Sequence, residues 1–311
     1  MRPSRQLLQA FAALLTFIVA SALAGCGAQG SGAAQRSTDA SARLASAGTT
    51  SKVTKLLVFV VENHSLAQMK QDMPWTFGLA TKHAYASDYH AIRHPSLPNY
   101  LAIAGGSTFG VGDDKSPSHH RIGGRSVFGQ ALRAHRSAEV YADGMPGRCV
   151  RADGGDHYAV RHNPWAYFVK ERRACRRHDV PLTRLPSDIA AGRLPNAGMV
   201  IPNLVHDAHD ASLADADAWL QQWIEKVQSG PDWRSGRLAV VVTADEDDGH
   251  SGNEVLTVLA SKSVPHPRVV STRLTHYSLT RLYDDVLGVA HLRHAKRAPS
   301  MTRAFRVPVG R

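Results

Sequence analysis

Two apolar runs that each end abruptly in oxygen-bearing side chains constrain the fold of this chain more than any other feature. The run 237–244 is followed by the acidic segment 245–249, and the run 55–61 is followed by Glu-Asn-His-Ser at 62–65. An unbroken apolar run is typical of a strand buried on both faces of a parallel sheet. Catalytic groups of such enzymes lie beyond the carboxyl ends of the strands. The two endings therefore predict an α/β enzyme with a metal site at one edge of its sheet.

The rest of the chain alternates between strand and helix patterns. Strand patterns at 55–61, 138–141, 198–201, 238–244 and 255–260 alternate with helical patterns at 97–104, 126–135, 212–228 and 276–288. Such alternation predicts an α/β domain with a mainly parallel sheet. The segment 142–185 lacks these patterns and is predicted to be a long irregular insertion that shapes a substrate pocket at the sheet edge.

The N-terminus has the pattern of an export signal. Arg2 and Arg5 precede an apolar run at 7–22, which is short for a membrane span and leads into Leu-Ala-Gly-Cys at 23–26. This tetrapeptide resembles the lipobox of bacterial lipoproteins, in which the cysteine is acylated and becomes the new N-terminus. We therefore predict a signal peptide at 1–25, lipidation of Cys26, and an exported protein anchored to the membrane of the bacterial cell envelope. The alternative is an ordinary signal peptide with an incidental cysteine.

The predicted anchor is followed by a spacer and a single domain. Residues 26–51 are rich in Gly, Ala and Ser, which is typical of a flexible linker. A chain of 311 residues that is 43% hydrophobic can bury one large core or two small ones. With no internal repeat, we predict one domain over residues 52–311.

The remaining cysteines are Cys149 and Cys175. In an exported protein they are expected to form a disulfide, although two free thiols are the alternative. Zinc binding through cysteine is not expected, because there is no CxxC spacing.

The formal charge of +11 and the pI near 9.9 make the domain strongly basic. No nucleic-acid-binding motif accompanies the basic residues, so we expect no nucleic-acid partner and infer no obligate protein partner. Two interpretations remain open. Either the basic residues form a solvated surface next to anionic lipid, or they steer anionic substrates such as phosphate esters towards the metal site.

Three polar segments have both a chemical and a structural interpretation. Ser96, before a predicted helix, is a candidate nucleophile or a helix N-cap. The segment 202–210, with two His and two Asp, could ligate a metal, contact a phosphate or supply a general acid, or it could be a surface turn capped by Asp210. The segment 245–250 is a metal-binding strand end or a polar turn.

Five motifs in a fixed order carry a resemblance to a known family. They are Val-Val-Glu-Asn-His-Ser at 60–65, His-Pro-Ser-Leu-Pro-Asn-Tyr-Leu-Ala at 94–102 with Gly-Gly-Ser-Thr at 105–108, Arg-His-Asn-Pro-Trp-Ala-Tyr-Phe at 161–168, Pro-Asn-Leu-Val-His-Asp-Ala-His-Asp at 202–210 and Thr-Ala-Asp-Glu-Asp-Asp-Gly at 243–249. Together, over roughly residues 55–290, the chain resembles the phosphoesterase family that joins bacterial acid phosphatases with phosphocholine-type phospholipases C.

The resemblance implies an alkaline-phosphatase-like three-layer α/β/α sandwich and phosphoryl transfer through a phosphoserine. It implies a metal ion bound by Glu62, Asn63, Asp245 and Glu246. Ser96 would be the nucleophile, with its oxygen also at the metal. The implied phosphate contacts or leaving-group acids are His206 and His209, with Asp207 and Asp210 nearby.

These implied ligands suit a hard divalent cation. Three carboxylates and a carboxamide form an all-oxygen set that favours one Mg²⁺ or Ca²⁺, and metal coordination activates a serine hydroxyl. The chain shows no large C-terminal domain of the kind found in the longer phospholipases C, which favours the phosphatase branch. We thus predict a metal-dependent phosphomonoesterase acting on a phosphate-ester substrate. The alternatives are a phospholipase C or phosphodiesterase, and a surface lipoprotein that binds a ligand without catalysis.

Overall fold

The fold is built on an eight-stranded sheet, seen in a computed structural model whose described residues are 51–310. The strands are β1 (Lys55–Val61), β2 (Ala84–Ala86), β3 (Tyr89–His90), β4 (Ala138–Ala142), β5 (Asp179–Pro181), β6 (Ala197–Ile201), β7 (Leu238–Ala244), β8 (Thr257–Ser261), β9 (Arg268–Val270) and β10 (Leu274–Thr275). The strand order is β5-β4-β6-β1-β7-β8-β2-β9, and β3 pairs with β10 in a separate small sheet.

The main sheet is mostly parallel, as the sequence predicts. Strand β1 pairs in parallel with β6 and β7, and β4 pairs in parallel with β5 and β6. Only β8 runs against its neighbours β7 and β2 within this sheet. Because the parallel strands end at the same edge, the polar residues that follow β1 and β7 are brought together there.

Helices cover the sheet. They are α1 (Leu66–Asp72), α2 (Pro74–Lys82), α3 (Ser96–Gly105), α4 (Val127–Arg133), α5 (Arg172–His178), α6 (Leu185–Ala190), α7 (Leu213–Ser229), α8 (Pro231–Arg234), α9 (His276–Leu287) and α10 (Met301–Ala304). Helix α7 packs with α1 and α2, whereas α9 packs with α3, α4 and β1. Residues 56–61 of β1 are all buried, so both faces of this strand are covered.

The observed elements match the predicted ones where the apolar pattern is long, with ends that differ by two residues or fewer in strands β1, β4, β6, β7 and β8. The segment 142–185, predicted to be a long irregular insertion, is only partly irregular. This segment contains short 3₁₀ turns at Val160–His162, Pro164–Tyr167 and Val169–Glu171, then α5 and β5. Its aromatic side chains are buried and anchor these turns to the core.

A disulfide joins Cys149 to Cys175, which confirms the predicted pair and excludes two free thiols. It links the loop after β4 to α5. The predicted signal peptide, Cys26 and all but the last residue of the predicted linker lie outside the described residues, and these predictions stay predictions. Within residues 51–310, no helix combines the length and apolar character that crossing a membrane requires.

Candidate active site

The site begins where β1 and β7 end side by side. Val61 pairs with Ala244 in the sheet register, so the next residues, Glu62 and Asp245, lie at the same edge. The Asn63 N–H donates to Asp245 Oδ1 at 3.3 Å, and the chain turns at Asn63 with a left-handed φ of 43°. Both carboxylates are buried. Two buried acids are thus held side by side at the edge of an apolar core.

Ser96 lies against this edge at the first residue of α3. Its Oγ donates to Glu62 Oε2 at 3.0 Å, and the residue is only 3% exposed. The N-cap of α3 is Pro95, and the Leu97 N–H in the first turn donates to Asp114 Oδ1 at 2.8 Å, so the interpretation of Ser96 as an N-cap is wrong. The hydroxyl instead faces the carboxylates at the positive end of the helix dipole, where developing negative charge is stabilised.

Glu246 is held in the same cluster by two carboxamides. Asn63 Nδ2 donates to Glu246 Oε1 at 3.2 Å, and Asn99 Nδ2, from the first turn of α3, donates to Glu246 Oε2 at 3.0 Å. The structure therefore brings together all five predicted metal-site residues: Glu62, Asn63, Ser96, Asp245 and Glu246.

The hydrogen bonds of Asp247 fold the chain so that the adjacent side chains of Asp245 and Glu246 can face one site. Its carboxylate accepts the backbone N–H groups of Gly249, Ser251 and Asn253, at 2.6 to 3.0 Å. His94 Nε2 lies 3.0 Å from the same carboxylate. Asp247 thus holds the turn that follows β7.

His162 and Asp207 extend the cluster on the other side of Glu62. The His162 nitrogens lie 3.3 Å from Glu62 Oε2 and 3.2 Å from Asp207 Oδ2. The ring stacks on Tyr100, with centroids 5.1 Å apart, and Tyr100 Oη donates to Glu62 Oε1 at 2.5 Å. Glu62, His162 and Asp207 offer ligand atoms that all lie within 4.8 Å of one another. They are a possible metal-ligand group.

Burial and mutual repulsion perturb the ionisation of these groups. Burial raises the pKa of Asp207 to about 7 and that of Asp245 to about 7. Burial, followed by the Asp245 charge, raises the pKa of Glu246 to about 9 and moves that of Glu62 well above its usual range. Burial also lowers the pKa of His162 well below its usual value, so the imidazole is neutral and its lone pair is free to bind a metal.

Several buried atoms in this cluster lack a hydrogen-bond partner. They are Asn63 Oδ1, Asp207 Oδ2, Asp245 Oδ2 and both ring nitrogens of His162, whose short contacts to carboxylates do not have hydrogen-bond geometry. Buried acceptors are normally satisfied, and a cation among them would supply the missing partner. The residues therefore fit a divalent metal ion. His162 adds a nitrogen ligand that transition metals also accept, which weakens the sequence-based preference for Mg²⁺ or Ca²⁺.

His209 and Asp210 lie at the exposed rim of the site. His209 Nδ1 lies 2.6 Å from Asp210 Oδ1, and Arg161 Nη2 lies 3.2 Å from His209 Nε2. The His209 N–H donates to Asp207 Oδ1 at 2.8 Å, and its ring centroid is 6.2 Å from that of His162. A titratable imidazole thus stands next to the buried cluster, oriented by a carboxylate.

His206 is placed differently from His209. Its Nδ1 lies 2.6 Å from Asp143 Oδ2, and its ring stacks on Trp219 of α7 at 5.6 Å. Within residues 51–310, no hydrogen bond or ion pair joins the His206 side chain to Glu62, Ser96 or Asp245. Of the two predicted histidines, His209 is thus the one linked directly to the buried cluster.

Sequence reasoning missed several residues of the site. They are Asn99, Tyr100, Asp143, Arg161 and His162. The motifs at 94–102 and 161–168 contain all of them except Asp143, but no strand ending or metal-ligand spacing marks them. His162 is the last residue of a 3₁₀ turn, so only the folded chain reveals its contact with Glu62.

The fold is similar to that of proteins in the alkaline phosphatase superfamily. The structure is similar to a superfamily member from Vibrio parahaemolyticus (TM-score 0.55, 12% identity, covering 82% of this chain and 72% of that one). It is also similar to the lipoteichoic acid synthase LtaP from Listeria monocytogenes (TM-score 0.54, 8% identity, covering 79% and 76%). At these identities the likeness concerns the fold alone.

Sequence comparison gives the family. The sequence profile of the Phosphoesterase family matches residues 59–290, and the chain belongs to this family. It is 30% identical over 252 residues to the phosphatidylinositol-3-phosphatase of Mycobacterium tuberculosis, covering 79% of this chain and 81% of that one. It is 30% identical over 215 residues to the phosphate-repressible acid phosphatase of Penicillium chrysogenum, of which it spans 51%. The chain is a phosphoric ester hydrolase.

A divalent metal should stabilise the protein more at alkaline than at acidic pH. Without metal, the folded state binds more protons than the unfolded chain between about pH 4 and pH 9, because the pKa values of Asp245, Asp207 and Glu246 are raised, so its stability falls as pH rises through this window. We expect the metal-induced rise in Tm to be larger at about pH 8 than at about pH 5, by at least about 3 °C.

This prediction has a matched pair of variants in the same acidic segment. Asp245→Asn should abolish the metal-induced shift, whereas Asp248→Asn should keep it, because Asp248 is exposed. The measurement is thermal unfolding after chelation and re-addition of individual metals. A full metal-induced shift in Asp245→Asn would contradict the assignment of this cluster as the metal site.

Proposed function

We propose that the protein is an exported, metal-dependent phosphomonoesterase that acts through a phosphoserine at Ser96. The observation that carries this proposal is the position of Ser96 Oγ, at a helix N-terminus and 3.0 Å from Glu62 Oε2. A serine hydroxyl that is buried among carboxylates, instead of capping its helix, has the location expected of an activated nucleophile.

The metal would be bound by Glu62, Asn63, Asp245 and Glu246, with Ser96 beside it and with His162 and Asp207 as further candidate ligands. A bound divalent cation would lower the pKa of the serine hydroxyl and offset the charge of the phosphate. Tyr100 and Asn99 orient the carboxylates of Glu62 and Glu246 by donating hydrogen bonds to them.

The reaction proceeds in two steps. In the first, the bond from Ser96 Oγ to phosphorus forms as the bond to the leaving oxygen breaks, and the leaving oxygen takes a proton from protonated His209. The proton of Ser96 passes to Glu62 Oε2, which accepts its hydrogen bond. In the second step, water gives a proton to His209 and attacks phosphorus, the Oγ–P bond breaks, and orthophosphate leaves as Ser96 regains its proton from Glu62.

His209 is better placed than His206 for this proton transfer. Asp210 lies against His209 Nδ1 and orients the ring, so that Nε2 faces Arg161. The guanidinium of Arg161 can donate to phosphate oxygens in the same place, because a planar fork of N–H groups matches the geometry of phosphate. We assign His206, held by Asp143, to orientation of the loop 202–210.

The names of the relatives support a monoesterase over a phospholipase C or phosphodiesterase. Both curated relatives described above are named phosphatases, and one is named for a phosphorylated lipid. Phosphoinositide monoesters therefore belong in the substrate panel. A ligand-binding lipoprotein without catalysis is disfavoured, because the nucleophile and the candidate ligands are all present and clustered.

Replacement of the nucleophile should abolish turnover. Ser96→Ala is expected to lower kcat/KM for p-nitrophenyl phosphate by roughly 10³-fold or more. Ser118→Ala, an exposed serine, is the matched control and should keep full activity. Mass spectrometry of acid-quenched enzyme should find phosphate on Ser96. Activity of a folded Ser96→Ala protein within tenfold of the parent would refute the covalent mechanism.

The identity of the general acid can be tested through the leaving group. His209→Gln should lower kcat by about 10²-fold for an alkyl phosphate but by much less for p-nitrophenyl phosphate, because nitrophenolate leaves without a proton. His206→Gln is the comparison in the same loop and should affect both substrates equally. If only His206→Gln shows the leaving-group dependence, the two histidines have the opposite roles.

A comparison of monoester and diester hydrolysis separates the two enzyme classes. With one metal and one buffer, we expect turnover of p-nitrophenyl phosphate to exceed that of p-nitrophenyl phosphorylcholine by about 10²-fold, or roughly 3 kcal/mol in transition-state free energy. Equal or faster turnover of the phosphorylcholine ester would identify a phospholipase C or phosphodiesterase. The same nitrophenolate leaving group in both substrates removes leaving-group chemistry as a cause.

Export and anchoring are proposed from the sequence. The basic residues Arg2 and Arg5, the apolar run and the lipobox-like segment support processing before Cys26. The Cys149–Cys175 disulfide is compatible with an oxidising compartment outside the cytoplasm. Mass spectrometry of the mature N-terminus tests this proposal, and an unmodified Cys26 would reject the lipid anchor.

A further inference from the structure

A recess far from Ser96 is lined by five cations and one acidic residue, Glu171. It has a volume of about 520 Å³ and lies at the C-terminal end of α3, whereas Ser96 begins this helix. Ten residues of helix separate the two ends by about 15 Å. The cations that line it are Arg125, Arg133, Lys170, Arg293 and Lys296. This recess is therefore separate from the candidate active site.

A second recess adjoins the first. It has a volume of about 530 Å³, shares Arg133, Lys170 and Glu171 with its neighbour, and adds Arg173 and Arg177. We call the two together the basic groove. The Lys and Arg ion pairs found within residues 51–310 involve other cations, so none of these seven cations has a carboxylate oxygen within 4.0 Å.

The acidic residues around the basic groove are already engaged. Glu171 accepts hydrogen bonds from Ser126 and from Trp165 Nε1, at 2.5 to 3.1 Å. Asp284 accepts from Gln130 Nε2 and from the Leu292 N–H. Glu171 and Asp284 still offset part of the Arg293 charge, but two carboxyl groups are fewer than the seven cations, and a bound anion would offset the excess.

Arg293 is a cation of the basic groove whose position is fixed by its neighbours. Its guanidinium lies over the Phe109 ring at 4.5 Å and donates to the carbonyl oxygens of Gly105 and Arg125. Its half-buried position lowers its pKa through desolvation, and a bound anion would offset that cost. A guanidinium held in place beside exposed lysines suits phosphate recognition.

We propose that the basic groove binds a soluble polyanion that carries several phosphate groups. Two adjoining recesses with cations along both match several charges better than a single phosphate. Because the cations line concave recesses, a soluble ligand can contact more of them than a flat bilayer can. Part of the net charge of +11 thus lies in this groove, where it would bind the polyanion.

The probe for this site is inorganic tripolyphosphate, titrated calorimetrically into the full chain carrying Ser96→Ala, so that the probe is not hydrolysed. Magnesium is kept in excess over the probe, so that the metal site is not stripped. We expect saturable binding that weakens steeply with added salt. Orthophosphate should bind at least about tenfold more weakly, because it meets fewer cations.

Two double variants with the same loss of charge locate the binding. Lys170→Gln with Lys296→Gln should raise the Kd for tripolyphosphate at least about fivefold, since both lysines line the groove. Lys82→Gln with Lys262→Gln, on exposed lysines elsewhere, should change it less than about twofold. Exposed lysines are replaced in both, and thermal unfolding checks that each variant is folded.

The outcomes that overturn the proposal are distinct. Equal effects of the two double variants would mean that only net charge matters. Orthophosphate binding as tight as tripolyphosphate binding would reduce the site to a single-phosphate one. Phosphatidylglycerol vesicles that bind through Lys170 and Lys296, with no tripolyphosphate binding, would identify a bilayer contact instead. None of these results depends on the nucleophile, so the phosphoserine proposal is tested separately.

Discussion

The parallel pairing of β1 with β7 is the constraint on which the candidate site depends. It places Glu62 and Asp245 at one sheet edge, where burial and repulsion make their ionisation costly. The surrounding structure offsets part of this cost through hydrogen bonds from Tyr100, Ser96 and the Asn63 N–H. A divalent cation would offset the rest, which explains why buried oxygen atoms in this cluster have no protein partner.

Helix α3 combines several roles in its first two turns. Ser96 faces Glu62, Asn99 holds Glu246, and Tyr100 both holds Glu62 and stacks on His162. One rigid element therefore sets the position of the nucleophile relative to the carboxylates, so their relative geometry does not depend on a flexible loop. The same helix ends near the basic groove, so one element connects the candidate active site with the proposed polyanion site.

The net positive charge of the chain is organised by the fold. In the sequence, the basic residues are scattered, and neither a solvated surface nor substrate steering is favoured. In the structure, cations from residues 125, 133, 170, 293 and 296, distant in sequence, line one recess because α4, the start of α5 and the segment after α9 lie side by side. A sequence pattern cannot show this grouping, since it arises from tertiary contacts alone.

The sequence by itself determined the α/β class and the long strands β1 and β7, because apolar runs with polar endings depend on local order. The site residues Glu62, Asn63, Ser96, Asp245 and Glu246 were predicted from the resemblance to the phosphoesterase family. The sequence did not reveal His162, Tyr100 or Asn99 as parts of the site. Their roles depend on contacts across 38 to 147 positions, such as those of Tyr100 with Glu62 and of Asn99 with Glu246. Only the tertiary structure decided that Ser96 faces carboxylates and does not cap its helix, since both arrangements satisfy a serine at a helix start.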